Sequence, residues 1–329
     1  KLNSMRKILF GLGSSQVLIT IFTVILFGIF FGLNLPAAFI IGSAITMSST
    51  AIVSKILMER IDLNSRHGRL SIGILLFQDI AVILILILIP VFNAQGTNLV
   101  EIISFSVIKI LSLLFIVFKA GQPVMNFWFG IVAKNKSREL FVLNVLMITL
   151  IFAYVTKLAG LSYALGAFLA GMLISETRYR HQVESDITSF RNILLGLFFI
   201  SVGMMLNLDI LSNNFLLIII LFLCLTLFKI ALITLLTTLF KYELGVGIRT
   251  GVILSQAGEF SFVILALGQE SGIISGDILQ ITLSVCLLSM LFAPILIPFN
   301  GRIARYIAKG YSKKTETLMK QLEGLGHDF

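Results

Sequence analysis

Apolar residues come in long runs along this chain, and polar residues gather in the short links between them. A helix needs about 20 apolar residues to cross a hydrocarbon core. Reading runs against breaks gives ten spans, at roughly 8–31, 37–57, 70–92, 102–118, 139–156, 162–175, 192–206, 215–240, 250–269 and 278–299. Those at 162–175 and 192–206 are short, so they extend into their flanks or are shielded by protein. The pattern predicts an all-α polytopic membrane protein.

Two spans are not uniformly apolar. Span 2 carries Gly42-Ser43-Ala44-Ile45-Thr46-Met47-Ser48-Ser49-Thr50, and span 9 carries Leu254-Ser255-Gln256-Ala257-Gly258-Glu259-Phe260-Ser261. Polar, glycine-bearing sequence at mid-depth predicts helices interrupted near the midplane, where freed backbone groups and hydroxyls line an ion site. Continuous helices whose small residues permit close packing are the alternative.

Charge then orients the spans. All but one of the Lys and Arg in the links fall on one side, together with Lys1, Arg6, Lys7 and the basic tail; the opposite links hold Lys157 alone, while Lys109 and Lys229 lie inside spans. By the positive-inside rule both ends are expected in the cytoplasm. Spans 1–3 and 8–10 then become three-helix units of opposite topology. These inverted repeats, about 8–92 and 215–299, flank spans 102–206 within a transmembrane domain 1–299, and 300–329 is a basic cytoplasmic tail or linker. Inverted repeats are a secondary-transporter architecture.

Composition agrees with a membrane setting: 57% of residues are hydrophobic, 12% are charged and the mean hydropathy is +1.03. The net charge of +9 is spread through loops that orient helices, so nucleic acid is not an expected partner. Cys224 and Cys286 lie in apolar runs without metal-ligand spacing and are read as core packing. His67, His181 and His327 fall in links or the tail with no ligand constellation around them. No phosphate-binding glycine loop, nucleophile elbow or zinc motif is present, which argues against an enzyme and against a bound cofactor.

The candidate chemistry rests on ionisable residues inside spans. Asp79 interrupts the run Ile72 to Val91 beside Gln78, where a charge costs roughly 2.5 to 3.5 kcal/mol on insertion scales. With Lys229 and Glu259 it is expected to form one polar centre at the repeat interface. An acid that holds either a proton or a dehydrated monovalent cation, and never both, couples two gradients when its exposure alternates. Lys229 takes part directly or serves as a structural counter-charge. Glu259 binds an ion or a backbone end of the broken helix. Lys109 snorkels to the interface or meets a dimer partner.

The run Gly73-Ile74-Leu75-Leu76-Phe77-Gln78-Asp79-Ile80-Ala81-Val82-Ile83 resembles the span-centre signature of Kef-type potassium efflux systems, in the second monovalent cation:proton antiporter family. Ser48-Ser49-Thr50-Ala51-Ile52, the stretch from Ala164-Leu165-Gly166 through Tyr179-Arg180-His181 to Val202-Gly203-Met204, and Leu254-Ser255-Gln256-Ala257-Gly258-Glu259-Phe260 fit the same group, so the resemblance covers essentially the whole chain. It implies Asp79 as the transport carboxylate and Ser49 and Thr50 at the first interruption. Ser255, Gln256 and Glu259 then fall at the second, with Lys229 at the basic position of the opposing repeat. Gln78 stands where electrogenic relatives have a second acid or an asparagine, which implies electroneutral exchange of K⁺ for H⁺. The segment His181-Gln182-Val183-Glu184-Ser185-Asp186 is similar to the regulatory loop that meets a cytosolic nucleotide-binding, glutathione-sensing domain. A homodimer in the inner (plasma) membrane is implied too. Relative to the family, about three spans before Lys1 and the nucleotide-binding domain after Phe329 are expected to be missing. Na⁺/H⁺ exchange by the same fold, a ligand-gated potassium efflux pore and a membrane scaffold without transport are the competing readings. A passive pore has no need of a midplane acid, and no TVGYG filter is present; a scaffold gains nothing from buried charges.

Overall fold

The computed structural model describes residues 7–92, 119, 121, 123–132, 134, 137–158 and 162–308. All regular elements among them are helical. A π-helical turn, Lys7–Gly13, leads into α1 (Ser14–Phe30), followed by α2 (Leu35–Thr46), α3 (Thr50–Glu59) and α4 (Arg66–Val91). Then come α5 (Pro123–Val132), α6 (Arg138–Leu158), α7 (Tyr163–Ser175), α8 (Arg180–Met204) and α9 (Leu208–Asn213). The chain continues through α10 (Phe215–Leu239), α11 (Leu244–Ile253), α12 (Glu259–Glu270), α13 (Gly276–Leu296) and α14 (Asn300–Ile307).

Among the described residues, seven helical stretches are long and apolar enough to cross a membrane: Ile8–Phe30, Leu35–Glu59, Arg66–Val91, Arg138–Leu158, Arg180–Met204, Phe215–Leu239 and Gly276–Ile307. The protein is a membrane-embedded helical bundle. The span expected at 102–118, with Lys109, lies outside the described residues. The span expected at 192–206 is longer than its apolar run suggested, because α8 already starts at Arg180. The segment His181–Asp186, expected as a loop, is therefore the first turns of a helix. Val183 and Ile187, four apart on one face, pack against Phe129 and Phe141 and extend the helix backwards.

Both polar mid-span stretches break their helices. α2 stops at Thr46 and α3 starts at Thr50; α11 stops at Ile253 and α12 starts at Glu259. Close packing through small residues also occurs, so the two readings coexist. A Cβ on Gly42 would come within 3.2 Å of the Ile21 carbonyl oxygen.

The chain divides into two compact units. The first comprises residues 1–82, 207–269 and 274–329, and the second 83–206 and 270–273. The first unit is built on a core that includes Val53, Leu57, Ile74, Ile233, Ile253 and Ala293, drawn from α3, α4, α10, α11 and α13. Local caps punctuate it: the Asn34 carboxamide accepts from the Ala37 N–H at 2.8 Å to start α2, and Gly32, at φ +87°, turns the chain out of α1. The Arg249 guanidinium on α11 donates to Asn300 at 2.6 Å and to Asp62 at 3.5 Å. In the second unit Met125, Phe129, Phe141, Val145 and Leu173 form the core. Trp128 donates to Asn144 at 2.7 Å, and Arg138 pairs with Asp186 at 2.9 Å.

Candidate ion-binding site

A helix leaves its last carbonyls and first amides without intrahelical partners, and in a membrane no solvent replaces them. The two breaks are therefore best understood by following those groups. At the first, the Ala44 carbonyl accepts from the Ser261 hydroxyl at 2.6 Å. The Ile45, Thr46 and Met47 carbonyls accept from the Lys229 ammonium at 3.0, 3.4 and 3.0 Å. The Thr46 carbonyl also accepts from Gln78 Nε2 at 3.1 Å and Gln16 Nε2 at 3.4 Å. Beyond the gap, the Ser48 N–H donates to Gln78 Oε1 at 2.8 Å and the Ser49 hydroxyl accepts from the Ile52 N–H at 3.2 Å.

The second break is satisfied more locally. The Ser255 hydroxyl donates to the Val252 carbonyl at 2.9 Å and the Gly258 N–H to the Ser261 hydroxyl at 3.1 Å. The Ala257 N–H reaches Ser289 Oγ at 2.9 Å. The Gln256 carbonyl accepts from Lys229 at 2.8 Å, but both polar atoms of the Gln256 side chain are buried without a hydrogen-bond partner among the described residues.

The breaks touch each other. The Ser48 hydroxyl donates to the Leu254 carbonyl at 2.9 Å, and a Cβ on Gly258 would lie 2.8 Å from the Ser48 carbonyl carbon and 2.9 Å from its oxygen. Backbone meets backbone here, and only glycine fits. Lys229 sits fully buried at this crossing. Its ammonium faces carbonyl oxygens at the negative end of α2 and forms no ion pair with a carboxylate among the described residues. The expected three-residue polar centre is not a set of ion pairs: Lys229 serves the backbone, while Asp79 meets Thr50 and Glu259 opens α12.

Asp79 is half-buried on α4. Its carboxylate accepts from the Thr50 hydroxyl, 3.3 Å from one oxygen and 3.5 Å from the other. Thr50 opens α3 and Glu259 opens α12, so each lies at the partly positive end of a half-helix, where negative charge is favoured. The Asp79 carboxylate and the Thr50 hydroxyl at a helix start make an oxygen-bearing, half-open place for a proton or a small cation.

The sequence-expected residues thus separate by task. Asp79 and Thr50 lie together and Glu259 opens the half-helix after the second break, whereas Gln78, Ser49, Ser255 and Lys229 spend polar atoms on the backbone of the breaks. His181, Glu184 and Asp186 belong to α8 in the second unit. There His181 accepts from Arg180 at 3.2 Å, the Glu184 main-chain carbonyl accepts from the Thr188 hydroxyl, and Asp186 meets Arg138. Sequence reasoning passed over Gln16, Thr20 and Ser289, and named Ser48 and Ser261 only within the polar stretches. Gln16 carried a signal, an amide deep in the apolar run 8–31, of the kind that singled out Asp79. Among the described residues no group of three His, Cys, Asp or Glu side chains gathers into a metal-type cluster.

A family model described as sodium/hydrogen exchanger, transmembrane, matches residues 1–300. The chain is 38% identical over 304 residues to a protein named putative K(+) efflux antiporter KefB from Alkalimonas amylolytica, covering 92% of this chain and 46% of that protein. It is also 38% identical over 304 residues to K(+) efflux antiporter 1, chloroplastic, from Arabidopsis thaliana, covering 90% of this chain and 26% of that protein. K(+) efflux antiporter 3, chloroplastic, from the same plant is 34% identical over 277 residues, which are 83% of this chain and 36% of that protein. The chain thus spans less than half the length of these relatives. With a match that runs across both helix breaks and nearly all of its length, the chain belongs to the transmembrane sodium/hydrogen exchanger family.

Proposed function

We propose that the protein is a secondary active antiporter exchanging K⁺ for H⁺ by alternating access, with Asp79 as the shared carboxylate. The observation that carries this reading is the half-buried Asp79 carboxylate against Thr50, at the start of a half-helix inside a membrane-spanning bundle. Such a carboxylate has two stable neutral states, protonated or cation-bound, and the empty anion between them is the costly one. That cost favours one-for-one exchange, and a polar but uncharged Gln78 beside the acid supports electroneutral coupling. Glu259 adds a second oxygen donor, and Lys229 keeps the breaks open as the counter-charge to α2. The names of the relatives favour K⁺. The family model's own description favours Na⁺ as the second reading.

The wider architecture of this proposal has ten spans and two inverted repeats, about 8–92 and 215–299, each with one interrupted helix. The lopsided basic residues support cytoplasmic ends, and the inner (plasma) membrane is the proposed location. A homodimer is the proposed assembly. In the whole protein, a cytosolic nucleotide-binding, glutathione-sensing domain acting on the start of α8 is the proposed regulator.

The test is cation-driven proton movement in everted vesicles holding the full-length protein, with K⁺ and Na⁺ added separately. Dequenching of a pH dye by K⁺ supports the proposal, dequenching by Na⁺ alone transfers it to the second reading, and cation flux without proton movement replaces exchange with a pore.

A further inference from the structure

Gln16 and Thr20 lie one turn apart on α1, and both are fully buried. Their hydrogen bonds run in one direction. The Thr20 hydroxyl donates to the Gln16 main-chain carbonyl at 2.7 Å, which leaves its oxygen to accept from Gln16 Nε2 at 3.2 Å. That contact fixes which end of the Gln16 carboxamide is nitrogen and turns Oε1 towards Gln78 Nε2, 2.8 Å away. Gln78 Oε1 in turn accepts from the Ser48 N–H at 2.8 Å, while the nitrogens of both glutamines share the Thr46 carbonyl. A main-chain carbonyl begins this series and a main-chain N–H ends it, and neither can exchange roles. Flipping either amide would bring donor against donor or acceptor against acceptor. The series is buried along its length, so no water relieves such a mismatch.

We propose that Gln16 is a positioning residue for cation exchange: acting through Gln78, it holds the first helix break in the register that sets Thr50 against Asp79. The inference rests on the reading of Asp79 as the exchange carboxylate. Gln78 is the residue before Asp79 on α4 and spans the gap from Thr46 to Ser48, so any tilt of its amide moves the start of α3 and the carboxylate's neighbour together. It follows that Gln78 braces the site rather than coordinating the cation, since both of its polar atoms already serve the break. Gln16, bonded on α1 to Gln78, then sets ligand geometry without touching the ion.

The test compares Gln16→Met, Gln78→Met and the double variant in vesicles of the full-length protein, reading half-saturating cation concentration separately from maximal rate. Gln16→Met is expected to raise the half-saturating concentration roughly tenfold, the scale of one buried unmet hydrogen bond, with a much smaller change in maximal rate. The double variant is expected to be little worse than Gln78→Met alone, because Gln16 acts mainly through Gln78, its own contact with the Thr46 carbonyl being the long one at 3.4 Å. Independent, multiplying effects overturn the inference, as does a fall in maximal rate at unchanged half-saturation. If Gln16→Met does not accumulate, Thr20→Val takes its place in the same cycle. It frees the Gln16 amide to flip and is expected to give a smaller shift in the same direction. Asp79→Asn run alongside keeps the two ideas apart. Exchange lost there, with Gln16→Met unaltered, sinks this inference alone, whereas exchange retained in Asp79→Asn sinks the functional reading.

Discussion

The two helix breaks solve one problem in different ways. At residues 46–50 the freed groups are met from a distance, by Lys229 on α10, Gln78 on α4, Gln16 on α1 and Ser261 on α12. At residues 253–259 two serines of the stretch itself, Ser255 and Ser261, share the task with Ser289, Lys229 and Ser48 from elsewhere, and the Gln256 amide keeps both polar atoms buried and unmatched among the described residues. The first break is therefore braced almost wholly by the surrounding helices, and the second is capped in part by its own serines with polar capacity to spare. Asymmetry of this kind fits a division of labour in which the braced break holds the carboxylate's surroundings fixed. The lysine of the second half then stabilises the first half's backbone instead of answering its acid.

If bracing from a distance dominates, Lys229→Met should be the most damaging change. It strips the ammonium from the Ile45, Thr46, Met47 and Gln256 carbonyls, and a loss of about 1–3 kcal/mol for each carbonyl left unmatched is expected, read as the unfolding midpoint in detergent. Gly258→Ala attacks the contact between the breaks. Its methyl would press on the Ser48 carbonyl, for an expected cost of about 1–3 kcal/mol that a smaller residue at position 48 cannot relieve, because backbone is what it meets. Ser49→Ala, which removes only the α3 cap, should cost about 1 kcal/mol. Gln256→Met sharpens the contrast by sign. Replacing an unmatched amide with an apolar side chain of similar length should leave stability unchanged or raise it by up to about 1 kcal/mol. A clear loss would mean that the second break is as tightly engaged as the first.

Much of this was legible in the chain. Polar, glycine-bearing stretches inside apolar runs marked both breaks to within a few residues, and the cost of a midplane charge singled out Asp79 and Lys229. What the sequence did not reveal was the direction of the lysine's bonds. A span pattern places Lys229, Asp79 and Glu259 at similar depth, which suggested one charged centre. Where a helix stops, however, its carbonyls are concentrated acceptors, and they capture the ammonium. Gln16 escaped notice because attention to charge passed over a neutral amide whose burial is almost as demanding. The start of α8 was misplaced for a different reason. Its first turns are polar, so an apolar-run criterion began the span late, although Val183 and Ile187 already carried the helical spacing.

The central claim is that one carboxylate carries both the proton and the cation, and competition tests it most directly. In vesicles of the full-length protein, the half-saturating K⁺ concentration should rise as pH is lowered, approaching about tenfold per pH unit once Asp79 is mainly protonated. The maximal rate should stay nearly constant, and Asp79→Asn should abolish exchange. A pH dependence confined to the maximal rate, with half-saturation unmoved, would mean that the proton and the cation occupy separate sites and would contradict the account.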